Sequence, residues 1–214
     1  AHQELKRITR LIDHLVLLTD IDAGSQRWRL SPVPLGRLLG DWYDDLAAEF
    51  KERLVVQCEK DCEHHFLQID AEAVCLVLNN LIDNAFRYSP SGSCAVLHVR
   101  SEAKAISIYV ADWGAGIPLE LHRQIFDRFR RLEQHRDPAR ADGAGLGLAV
   151  AKALLNQMKA EISILPIPQA ESPAIGAHTV MKITFPSYGL VHPQDRTVFQ
   201  CSSPLPDARQ AQLC

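Results

Sequence analysis

An α+β two-layer sandwich with a mixed sheet is the fold expected of this sequence, and three features point to it. Helices and paired strands follow one another without the strict alternation of a parallel sheet. The stretch CAVLHVRSEAKAISIYVAD (94–112) reads as a two-stranded hairpin, with Ile106, Ile108 and Val110 alternating against Ser107, Tyr109 and Ala111. A helix from Glu72 to about Tyr88 is apolar on one side, through Cys75, Leu78, Leu81, Ile82 and Ala85, and that side should be packed.

In chain order, Leu5, Ile8, Ile12 and Leu15 repeat at three-four-three spacing, widened by Leu11 and Leu18. A bundle or coiled-coil helix therefore runs to about Ile21 and stops at DAGS. Such a stripe wants a partner, either a second copy of the parent protein or the chain's own domain. SPVPLGRLLGDWYDDLAAEFKER gives a short extended entry and one amphipathic helix ending near Arg53. LVVQC and HFLQI are brief strands, with CEKDCEHH as a polar turn between them. Cys58, Cys62, His64 and His65 are zinc-ligand types, but the two pairs lie closer than in structural zinc sites, and adjacent histidines do not easily face one ion. Pro118 opens a short helix. From Asp127 to Ala144 the chain is polar, arginine-rich and without periodicity, a long loop of the kind that tends to be functional. The helix LGLAVAKALLNQM and the strands EISILP and TVMKITF complete the body. From Ser187 the sequence is polar and proline-bearing, a tail that is either flexible or docked.

The 214 residues, 47% hydrophobic, are enough for one core with appendages. A formal charge of −3 gives no overall basic field for nucleic acid. No apolar run approaches the roughly 20 residues of a membrane span, and no signal peptide opens the chain. The first residues read as the middle of a helix, as expected of a piece of a longer protein. The six cysteines suit a reducing cytoplasm better than a disulfide framework.

Four stretches carry the chemistry. In NNLIDNAFRYSP, Asn80, Asn84 and Arg87 share one helix face at spacings of four and three. Asparagine is a mediocre helix former, so two of them a turn apart suggest that something outside the helix is being held. In DWGAGIP, Gly114 and Gly116 allow a close backbone approach, and Asp112 is an acceptor suited to an exocyclic amine. GAGLGL ends the long loop and opens a helix, whose free N–H groups suit phosphate. It is neither a Walker loop nor a Rossmann fingerprint. Between these two lies IFDRFRRLEQHRDPARADGAG, in which Phe126 and Phe129 are placed to pin the loop base and Arg128, Arg130, Arg131, Arg136 and Arg140 sit beside the glycines. The loop is then a solvated basic segment or a lid over polyphosphate.

Together, and in this order, the four stretches resemble the N, G1, F and G2 boxes of the histidine-kinase catalytic domain, of the ATPase superfamily shared with gyrase, mismatch-repair ATPases and certain chaperones. The resemblance spans about Ser31 to Pro186. Residues 5–22 resemble the end of the second helix of a dimerisation and phosphotransfer domain. It implies three parts: residues 1–24 from that helix, 25–186 as the ATP-binding domain of Bergerat type with an ATP lid, and 187–214 as a tail. Asn84 matches the asparagine that holds Mg²⁺, a hard ion that takes amide oxygen. Asn80 matches a catalytic position beside the ion and phosphates. Arg87 matches a basic residue near phosphate, Tyr88 an aromatic flanking adenine, and Asp112 the adenine-recognising aspartate. Gly143, Gly145 and Gly147 match the phosphate-binding glycines, and Arg131 a lid arginine that reaches the γ-phosphate. Gly114, Gly116, Ile117, Phe126, Leu146 and Leu148 complete the implied nucleotide set.

ATP and Mg²⁺ are the implied cofactors. A response-regulator receiver domain and a homodimer through the helical domain are the implied partners. The implied location is cytoplasmic, within a sensor that is compatible with a membrane anchor. Three departures stand out. MKAEI replaces the usual His-Gly-Gly, Trp113 is bulky for the edge of an adenine pocket, and no phosphoacceptor motif is present, since His2 and His14 lie in the wrong helix. In the hydrolysing relatives the position of Asn80 is a glutamate. A neutral amide there, with Asp83 turned about 100° from Asn84, implies a kinase rather than a hydrolase or a non-catalytic nucleotide-binding module.

Overall fold

The computed structural model describes residues 2–59, 62, 65–102, 105–131, 144–166 and 177–186. Five strands build the main sheet in the spatial order β2 (Leu54–Cys58), β4 (Ala95–Glu102), β5 (Ala105–Asp112), β7 (Thr179–Pro186) and β6 (Glu161–Ile164). The β2–β4 pairing is parallel and the other three are antiparallel, so the sheet is mixed as expected. LVVQC and HFLQI part company. The second becomes β3 (Phe66–Ile69), which pairs with the extended entry β1 (Ser31–Pro34) in a separate two-stranded sheet. Pro32 and Pro34 are tolerated in β1 because only one of its edges is paired.

The period of two along each strand sorts its side chains. Leu97, Val99, Ile106, Ile108, Val110, Ile183 and Phe185 are buried in the core shared with the helices. Val55, Val96, Tyr109, Ala111 and Val180 form a smaller cluster on the other side. Against the core lie α4 (Ala71–Tyr88) and α5 (Gly147–Gln157). Asp70 caps α4 by accepting the N–H of Ala73 at 3.2 Å, and Pro90 follows its end.

The expected single helix after β1 is broken into α2 (Leu35–Asp45) and α3 (Ala48–Lys51). Leu46 and Ala47 adopt extended ψ values of 144°. Asp44 and Asp45 place negative charge where the helix dipole is already negative, and Lys51 caps the Asp44 carbonyl at 2.7 Å instead of extending the helix. The turn brings Phe50 onto Phe86, with ring centroids 5.3 Å apart.

Helix α1 (His2–Asp22) lies on the same body. Leu18 is buried in the main core, and Leu11, Leu15 and Ile21 pack beside it. Leu5, Ile8, Ile12 and Val16 face solvent. The helix therefore carries two apolar faces, of which the body takes one. Among the described residues, no helix is long and apolar enough to cross a membrane. Cys58, Cys62 and Cys75 are free thiols, whereas Cys94 is disulfide-bonded, a departure from an all-thiol chain.

The first asparagine of NNLIDNAFRYSP turns out to be a strut. Asn79 Oδ1 accepts the indole N–H of buried Trp42 at 2.9 Å, tying α2 to α4. Asn79→Ala should therefore lower the unfolding free energy by about 1 kcal/mol in urea titrations. Asn80→Ala, which deletes a buried amide donor lacking a partner, should cost less.

Candidate functional site

A cavity of about 400 Å³ opens where α4, the entry to α5 and α1 meet. From α4 it takes Asn80, Asp83, Asn84, Arg87 and Tyr88, so the polar helix face read from the sequence is turned into one space. From the α5 entry come Gly145, Leu146, Gly147 and Leu148. The first turn of α5 offers its unpaired N–H groups here, and a Cβ at position 147 would crowd Asn80 Oδ1 at 3.3 Å. Asn80 is 7% exposed, and its Nδ2 has no hydrogen-bond partner among the described residues. A buried donor left open in this way fits an acceptor that arrives from outside, such as a phosphate oxygen. Asn84 adds an amide oxygen suited to a hard cation, and Arg87 and Arg130 supply positive charge.

Asp83 requires a correction. Its rotation from Asn84 does not remove it from the site, because it lines the same cavity. Its carboxylate is engaged, however: Oδ2 accepts from Arg10 Nη1 of α1 at 2.6 Å.

A narrower cavity of about 70 Å³ adjoins the first, sharing Asn84, Tyr88, Ile125, Arg130 and Leu148. Asp112 lies here with Gly116, Ile117, Thr179 and Met181. The β5–β7 register sets Thr179 directly opposite Asp112. The Asp112 carboxylate is 7% exposed and accepts the Gly114 N–H at 2.8 Å. Burial pushes the carboxyl up to about 6, against hydrogen bonds from Gly114 and Thr179 and the positive field of His178. A Cβ at Gly114 would lie 2.7 Å from the Tyr88 carbonyl and 2.9 Å from the Asp112 carboxylate, so the turn requires glycine. His178 braces that turn, its N–H donating to the Asp112 carbonyl at 2.8 Å and its Nδ1 lying 2.6 Å from the Gly114 carbonyl.

The loop base closes differently from the sequence expectation. Phe126 is buried in the core and lines neither cavity, while the Phe129 side chain is 61% exposed. It is the Phe129 backbone, at a φ of 62°, that pins the loop, donating to the Gly145 carbonyl at 3.0 Å. Arg131 lines the narrower cavity beside Asp112, whereas Arg130 lines both. Arg128 turns away to pair with Asp22 at the end of α1. Gly143, Arg136, Arg140 and the middle of the loop lie outside the described residues. Trp113 does not shape the narrower cavity; it packs on the small cluster with Val96 and Val180. Among the described residues no group of three His, Cys, Asp or Glu side chains is placed to hold a metal, and Cys62 is buried with its thiol on the Val99 carbonyl.

A two-layer α+β body with an amide-lined cavity, a glycine-opened helix at one end and a buried aspartate at the other defines a nucleotide-binding ATPase domain. Residues 69–189, more than half of the chain, match the family described as histidine kinase-, DNA gyrase B-, and HSP90-like ATPase, and the chain belongs to it. Among curated relatives, the sensor histidine kinase WalK of Bacillus subtilis is 29% identical over 72% of this chain and 26% of its own length. The sensor protein IrlS of Burkholderia pseudomallei is 30% identical over 71% of this chain and 32% of its own. The chain thus spans about a quarter to a third of these relatives. Among solved structures, full-length ShkA in complex with AMPPNP superposes with a TM-score of 0.67 at 19% identity, covering 87% of this chain and 37% of that one.

The raised Asp112 carboxyl has a consequence for stability. An unfolded chain ionises this group near 3.8, so the native state holds the proton across roughly pH 4 to 6 and loses stability as pH rises through that window. Above it the buried charge carries a cost of about 3 kcal/mol. Asp112→Asn should therefore melt at a higher temperature than the parent at pH 7.5, with the difference gone below about pH 4 in thermal unfolding scans.

Proposed function

We propose that this chain is the ATP-binding catalytic part of a sensor histidine kinase, passing the γ-phosphoryl group of ATP to a histidine outside the chain for relay to a response-regulator aspartate. Family membership and the names of the relatives support the reading. The observation that carries it is the character of Asn80. The phosphate end of the cavity presents a buried amide where a hydrolase needs a base, and an amide donates and accepts hydrogen bonds but takes no proton. The nearby carboxylate, Asp83, is held by Arg10.

In this reading the two ends of the site have separate tasks. Asp112 accepts the adenine amine, with Thr179 and Gly114 orienting its oxygens, and Tyr88 flanks the base. Asn80, Arg87, Arg130 and the N–H groups of α5 hold the phosphates; Arg131, expected as the catalytic arginine that reaches the γ-phosphate, lines the Asp112 cavity, and Arg130 is the loop arginine in the larger one. Asn84 holds Mg²⁺, which when bound supplies neutralisation of the charge on the phosphates. The protein's own contribution is positioning and electrostatics, as expected for phosphoryl transfer. In the intact protein the solvent-facing stripe of Leu5, Ile8, Ile12 and Val16 suits a homodimer through the helical region, and the receiver domain of a response regulator is the onward acceptor.

Calorimetry should show Mg²⁺-dependent ATP binding that Asn84→Ala abolishes. Asp112→Asn should weaken binding by about 1.5–3 kcal/mol, the worth of a charge-assisted hydrogen bond. Phosphate release by the chain should be very slow, and adding an acceptor domain should yield phosphohistidine. Rapid steady-state phosphate release would overturn the kinase reading in favour of a hydrolase.

A further inference from the structure

Helix α1 belongs to the region taken as helical dimerisation domain, yet it forms one wall of the larger cavity. Arg7, Arg10, Leu11 and His14, at spacings of three and four, face Asn80, Asn84 and Gly147 across that space. Arg10 donates from Nη1 to Asp83 Oδ2 at 2.6 Å. No other contact of its guanidinium is made among the described residues, and its side chain keeps 57% of its exposure. A guanidinium has five N–H donors, so most of its capacity stays open at the cavity rim. His14, 8% exposed, lines the same wall and has no hydrogen-bond partner among the described residues. Opposite it, the buried Nδ2 of Asn80 is also open. Among the described residues the lining holds four arginines, Arg7, Arg10, Arg87 and Arg130, of which Arg7 also pairs with Glu4 at 3.6 Å, and one carboxylate, that of Asp83.

We infer that α1 completes the triphosphate site, with Arg10 contacting the terminal phosphate of the bound nucleotide and Asp83 holding that guanidinium in place beforehand. The inference rests on the nucleotide reading of the same cavity and adds a residue outside the ATPase body to it. Arg10 is a positioning and binding residue in this account, since the phosphate would compete with Asp83 for a donor already aimed at the site. A planar, bidentate guanidinium is suited to such a contact. The tether between Arg128 and Asp22, with contacts of 2.8 and 2.7 Å, fixes the far end of α1 to the loop base and keeps this wall in register.

Titration calorimetry of the whole chain with Mg-AMPPNP and with Mg-ADP tests this. Arg10→Met should weaken AMPPNP about tenfold while leaving ADP within about twofold. Arg10→Lys, which keeps the charge, should recover part of the loss. Thermal unfolding of Arg10→Met without nucleotide reports whether α1 has come loose. An Arg10→Met protein that binds AMPPNP as the parent does, or that loses AMPPNP and ADP equally, overturns the inference while leaving the nucleotide reading intact. A parent chain that binds neither nucleotide overturns both.

Discussion

Everything at the site depends on how closely α4 and α5 cross. Leu78, Leu81 and Ile82 of α4 and Val150, Leu154 and Leu155 of α5 are fully or nearly fully buried in one core, and this packing fixes the helices against the sheet. At the crossing, Asn80 and Gly147 meet closely, and a Cβ at 147 would lie 3.3 Å from Asn80 Oδ1. The amide is thereby desolvated, and its nitrogen is left without a hydrogen-bond partner among the described residues. Burying a polar group without a partner is unfavourable, so the apolar packing on either side must overcome it. The same crossing aims the first N–H groups of α5 at the space in front of Asn80. One packing event therefore creates both the buried amide and the cluster of backbone donors at the start of α5.

At the other end the constraint is a register. Asp112 and Thr179 are cross-strand neighbours, and His178, one residue earlier, supports the turn that follows Asp112. The carboxylate is kept out of water by its neighbours and kept chargeable by the donors they supply. Its raised pKa records the first effect exceeding the second. That balance suits a ligand-binding acceptor, which gains from being poorly hydrated before the ligand arrives. A stability cost at a binding site is the usual form of such a compromise.

This contrast separates what was legible in the sequence from what was not. The polar face of α4, the alternation of β5, the glycine entry to α5 and the role of Asp112 as an acceptor are local patterns, decided by neighbours within a turn or a strand. Thr179 and Ile125 reach the cavity only through strand register and tertiary packing, and nothing in TVMKITF alone marks its threonine as part of a cavity wall. The break between α2 and α3 was recoverable in principle from Asp44 and Asp45 at a helix end. Phe129 is the opposite case. An aromatic residue beside a loop reads as an anchor, but its backbone at positive φ does the pinning and the ring is left outside. Trp113 likewise belongs to the far side of the sheet, because its neighbour Asp112 already points toward the cavity and successive side chains alternate.

Charge follows the same division between sum and place. A net charge of −3 says nothing in favour of a polyanionic ligand, yet the described cavity gathers arginines from three separate parts of the chain. The field that matters is the local one, since charges beyond about 10 Å are screened at ordinary ionic strength. Two of the carboxylates that line the cavities are handled in distinct ways: Asp112 is desolvated in the narrower cavity, and Asp83 in the larger one has its oxygen occupied by Arg10. Transfer of a phosphoryl group to a protein side chain needs positive charge sufficient to hold the phosphates, and the cavity gathers that charge from both of its walls. The α1 wall adds Arg7 and Arg10 to that charge, and this gives one physical reason for a helix outside the matched family region to lie against the cavity.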